Sequence, residues 1–112
     1  PVAKAEHNVT EVSCQGVDEE ISVAIQTSPV TNHLSALVQV GSTRGFFGPT
    51  MYELESRVQN SRNVMFMSAN FSLTIDLQSE LSAPQYSAVA RIPVANAGKP
   101  VNLVCHFPVN TL

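Results

Sequence analysis

The side chains with the clearest capacity for chemistry are the two cysteines, Cys14 and Cys105, near opposite ends of the 112-residue chain. Redox dithiols and zinc sites draw their thiolates from close pairs of the C-x-x-C kind, and no second pair stands beside either cysteine. His106 follows Cys105, but neighbours on a strand point to opposite faces, which makes them a poor ligand set. A structural Cys14–Cys105 disulfide is the expectation; free thiols or a ligand role are its alternatives. By the chain-entropy model, closing so long a loop contributes on the order of 4–5 kcal/mol, less any strain.

Nucleophilic hydrolysis needs a serine or cysteine activated by histidine and oriented by a carboxylate. His7, His33 and His106 are far apart in sequence, with none of the short spacings that bring two imidazoles onto one metal ion. Gly41-Ser42-Thr43-Arg44-Gly45 has the glycines of a nucleophile elbow but places its serine one position early. Glu53 and Glu55 would share a strand face next to Arg57, and Asp18, Glu19 and Glu20 cluster at a turn; solvated surface accounts for both groups. There is no phosphate-binding or dinucleotide glycine pattern. The sequence therefore predicts no catalytic residue, no metal site, no cofactor and no enzyme.

Two further motifs stand apart. In Arg44-Gly45-Phe46-Phe47-Gly48-Pro49, consecutive aromatics between glycines cannot both face one core on an extended backbone. Arg44, Phe46 and Phe47 are accordingly a candidate binding loop, with capping of the sheet core as the structural alternative. Asn8-Val9-Thr10 and Asn70-Phe71-Ser72 fit the N-glycosylation acceptor pattern, one that also arises by chance in a chain rich in Asn and Ser.

The elements that must position these residues are strands. In Phe71–Gln78, Phe71, Leu73, Ile75 and Leu77 fall on one face and Ser72, Thr74, Asp76 and Gln78 on the other. The same alternation runs through Ile21, Val23 and Ile25; Leu34, Ala36, Val38 and Val40; Tyr86, Ala88, Ala90 and Ile92; and Val101, Leu103, Cys105 and Phe107. Thr10, Val12 and Cys14 repeat it near the start. Segments rich in Gly, Asn, Ser and Pro separate these runs and supply turns.

Residues 50–59 read two ways. As a helix they carry a Thr50–Glu53 capping box and a Met51, Leu54, Val58 stripe. As a strand they place Tyr52, Leu54, Ser56 and Val58 inward and Glu53, Glu55, Arg57 and Gln59 outward, followed by the turn Asn60–Asn63 and then Val64–Met67. The strand is the favoured reading. The fold expected is all-β: a small antiparallel meander of eight or nine strands forming a barrel or sandwich, its first and last strands joined by the disulfide. Residues 1–7 are expected to be a flexible N-terminal segment, and residues 8–112 one β domain.

Composition bounds the function. Hydrophobic residues make up 44% and charged residues 13%, the reverse of a disordered chain. The net charge is −3 and the six basic residues are scattered singly, which argues against nucleic acid as a partner. No apolar run approaches the roughly 20 residues of a membrane-spanning helix. The even cysteine count, the low charge, the missing initiator Met and the small-x-small triplet Ala3-Lys4-Ala5 lead to the expectation of a periplasmic or secreted protein. The expected function is non-enzymatic binding of another protein or a small apolar ligand, the alternative being an inhibitor of a secreted hydrolase.

Overall fold

A computed structural model describes residues 8–41, 49–79, 81 and 84–108. The segment expected to be flexible, residues 1–7, lies outside them. Nine antiparallel strands form a single curled half-barrel sheet: β1 (Val9–Gly16), β2 (Ile21–Thr27), β3 (Leu34–Val40), β4 (Thr50–Glu53), β5 (Ser56–Gln59), β6 (Asn63–Met67), β7 (Ser72–Asp76), β8 (Gln85–Arg91) and β9 (Val101–His106). Residues 50–59 are not a helix but two strands, β4 and β5, joined by Leu54 and Glu55, where the sequence pattern led to one. Across the sheet the order is β4-β3-β2-β1-β9-β8-β7-β6-β5.

This order dictates the curl. Laid flat at about 4.8 Å per strand, the nine strands would hold β4 and β5 about 38 Å apart. Yet only Leu54 and Glu55 separate those two edge strands, and three Cα steps span at most about 11 Å. The sheet must therefore bend round until its two edges meet at that corner. Alternation then places one face of every long strand inside. Val12, Cys14, Val23, Ile25, Ala36, Val38, Val64, Phe66, Leu73, Ile75, Ala90 and Leu103 form a continuous buried core with Phe71 and Ile92. Tyr52 joins its edge by stacking on Phe71, ring centres 5.6 Å apart.

The disulfide is formed. Cys14 and Cys105 are direct register partners on β1 and β9, both fully buried, with Cα atoms 4.0 Å apart. The bond crosses the seam where the meander of β1–β4 joins the meander of β5–β9. That seam runs from Ser13 opposite His106 to Gly16 opposite Leu103, and one further bond, from Val17 N–H to the Asn102 carbonyl, extends it.

Two strands break the alternation expected of them. On β1 the register slips between Thr10 and Val12: Thr10 pairs with Gln26 while Val12 pairs with Ile25. Thr10 thus shares the outer face with Gln26 and does not join Val12 and Cys14 inside. The extra residue, Glu11, accepts a hydrogen bond from the Thr27 hydroxyl at 3.0 Å.

The second break lies between β4 and β5. Leu54 N–H donates to the Leu34 carbonyl on β3 at 2.9 Å, and Glu55 N–H donates to the Met67 carbonyl on β6 at 2.8 Å. Ser56 is also the register partner of Met67, so two residues oppose one, the arrangement of a β-bulge. From there on the faces are exchanged. Arg57 and Gln59 share the inner face with Phe66 and Val64, whereas Val58 faces outward beside Met65 and is 47% exposed. The expected pattern of Ser56 and Val58 inward, Arg57 and Gln59 outward, is overturned by this one inserted residue.

Candidate functional site

The bulge opens a notch in the surface formed by the described residues. In a closed barrel, one strand spanning residues 50–59 would pair with β3 along one side and with β6 along the other. Here its first half pairs with β3 and its second half with β6, so the outer edge of β5 faces the β2–β3 turn across an open notch of about 420 Å³. His33 and Leu34 border it on one side, Glu53 and Glu55 at the corner, Ser56 and Arg57 on the other.

Turn chemistry holds one wall. The Ser28 hydroxyl accepts from the N–H groups of Val30 and Thr31, both at 3.3 Å, and Asn32 takes the left-handed conformation (φ 61°) before His33 turns into β3. That conformation suits Asn better than most residues. Arg57 supports the opposite wall: its Nη2 donates to Gln59 Oε1 at 2.9 Å, and its guanidinium lies over the Phe66 ring.

Arg57 is thereby directed at Gln59 on its own strand and at Phe66 on β6, two uncharged partners that leave its positive charge in place. The carboxylates of Glu53 and Glu55 are exposed and make no hydrogen bond or ion pair among the described residues, and as they outnumber the single cation Arg57, the net charge at the corner is negative. A wider depression beside the β7–β8 connection, lined by Asp76, Gln78, Ser79, Leu81 and Ser87, has no comparable open strand edge.

Of the residues singled out in the sequence, the structure brings His33, Glu53, Glu55 and Arg57 to one place, although on separate elements and across the bulge. His106 is on β9, outside this group. Among the described residues, no three of His, Cys, Asp and Glu are grouped so as to hold a metal ion. Among them, too, no helix is long and apolar enough to cross a membrane. The binding loop expected at Arg44, Phe46 and Phe47 lies outside the described residues. Asn8 and Asn70 are both exposed, Asn70 in the bend between β6 and β7.

Sequence reasoning missed the notch because an edge strand is defined by what fails to pair with it. The clue available was the run Tyr52–Val58, whose single alternation pattern would have put Arg57 outside. No family model, no curated protein and no solved structure matches the chain.

Proposed function

We propose that this is an exported, non-enzymatic binding domain of the periplasm or extracellular space, and that its partner is another protein. The disulfide supports export, since such bonds persist in oxidising compartments. The filled interior carries the choice of partner. Phe66, Phe71, Ile25, Leu73 and Leu103 occupy the concave side of the sheet, where a small-ligand carrier would keep its cavity. Recognition then falls to the surface, and the notch at the Leu54–Glu55 corner is its centre. The loop bearing Arg44, Phe46 and Phe47 is proposed as a second contact.

A photo-reactive amino acid placed at Ser56, at Phe47 and, as a control, at the exposed outer-face position Gln15 tests this in the cells that make the protein. The expected result is a discrete cross-linked protein from Ser56 or Phe47 and none from Gln15. If that product is a hydrolase, assaying it with the purified domain separates an inhibitor from an adaptor. Absence of any discrete product from Ser56 and Phe47 overturns the reading.

A further inference from the structure

Resting on that reading, we infer that the partner engages as an extended peptide strand bearing a lysine or arginine, which adds to the free edge of β5 at the notch. β5 ends the sheet order, all four of its residues are exposed, and no described residue pairs with its outer edge. An antiparallel edge strand directs the N–H and C=O groups of alternate residues away from its neighbour, which is the template that strand addition uses. A new strand would lie about 4.8 Å from β5, in the space between it and His33–Leu34. The bulge holds that space open, and the added strand would supply the pairing that β3 gives only to the first half of residues 50–59.

Charge selects the peptide. The Glu53 and Glu55 carboxylates flank the start of β5 without a hydrogen-bond or ion-pair partner among the described residues, and they outnumber the one cation there, Arg57, whose guanidinium is directed at Gln59 and Phe66. A cationic side chain on the incoming strand opposes these carboxylates; an anionic one is repelled. A second copy of β5 fits less well. Centring an antiparallel pair on Arg57 sets two guanidinium groups opposite each other, and four residues of edge bury far less than the roughly 1,000 Å² of a stable interface.

The test uses backbone amide NMR of the isotope-labelled chain with short capped peptides. These alternate valine and threonine and carry one lysine, scanned through the positions. Matched peptides carry glutamate instead, and a third set is N-methylated at alternate amides. Lysine peptides are expected to shift the amides of Ser56–Gln59 and to protect those of Arg57 and Gln59, the two that point to the free edge. Glutamate peptides should bind about tenfold more weakly, the effect of reversing two exposed charge pairs. N-methylation along the pairing edge should abolish binding, and the double variant Glu53→Lys with Glu55→Lys should invert the charge preference.

Failure of every lysine peptide to perturb Ser56–Gln59, or perturbation confined to another surface, overturns the inference. So do concentration-dependent shifts of the β5 amides without peptide, which would assign the edge to self-association. A discrete cross-linked partner combined with silent peptides removes strand addition and leaves the protein-binding reading standing. Failure of both experiments removes both.

Discussion

Arg57 holds its guanidinium 5.8 Å from the centre of the Phe66 ring. Simple alternation from Tyr52 and Leu54 would have set Val58 on that face, where a second apolar side chain would have extended the core. The bulge places a cation there instead, its guanidinium over the Phe66 ring. Arg57→Ala should destabilise the protein by about 0.5–1 kcal/mol, the range of an exposed cation–π contact. Phe66→Ala should cost about 3–5 kcal/mol. In urea titrations of both single variants and the double variant, a coupling near zero would show that the two side chains act independently.

The disulfide governs a seam and not a strand interior. Replacing Cys14 and Cys105 together with alanine should lower stability by about 2–5 kcal/mol. The loss should be localised: hydrogen exchange should rise first at the β1–β9 pairing, Ser13–Gly16 and Leu103–His106, while the β2–β3 and β6–β7 pairings keep their protection. Uniform loss of protection would instead make the whole sheet one cooperative unit.

Gly16 closes β1 where the chain turns back into β2. A Cβ built there presses on the backbone carbonyl of Glu19 and lies 2.7 Å from Ile21 Cγ2. The Glu19 carbonyl already accepts the Ile21 N–H at 3.0 Å, so the backbone has little freedom to retreat. Gly16→Ala should cost about 1–3 kcal/mol as an overpacking change, read as a lower thermal midpoint. A midpoint equal to that of the parent would mean that the Val17–Glu20 turn shifts freely.

The β5–β6 hairpin depends on one side chain. Asn60 Oδ1 accepts from Arg62 N–H at 2.7 Å and from Asn63 N–H at 2.9 Å, an Asx turn that fixes the register of β5. Asn60→Ala should cost about 0.5–1.5 kcal/mol, since water replaces part of what is lost. Asn60→Asp preserves the acceptor and should retain most of the stability. Equal losses for both variants would count against the hydrogen bonds.

Period-two alternation made most of the fold legible. Phe71, Leu73 and Ile75, or Ile21, Val23 and Ile25, declare their face directly because each strand is buried on one side and wet on the other. The cysteine pairing was legible for the same reason, with both residues on the inward phase of their strands. What alternation cannot carry is an insertion. Glu11 and Glu55 each add one residue to a strand, and a glutamate has no conformational signature for a bulge as a glycine at positive φ would. At Glu55 the misreading had functional weight, because the same residue opens the notch.

Topology adds one more property. Cys14 lies in the half of the chain before the Leu54–Glu55 corner and Cys105 in the half after it. A protease that cut the exposed corner at Glu55 would break the sole peptide link at that place, yet its two products would stay covalently joined through the seam on the other side of the sheet. A single cleavage would therefore convert the protein into a disulfide-linked heterodimer of two meanders without releasing either.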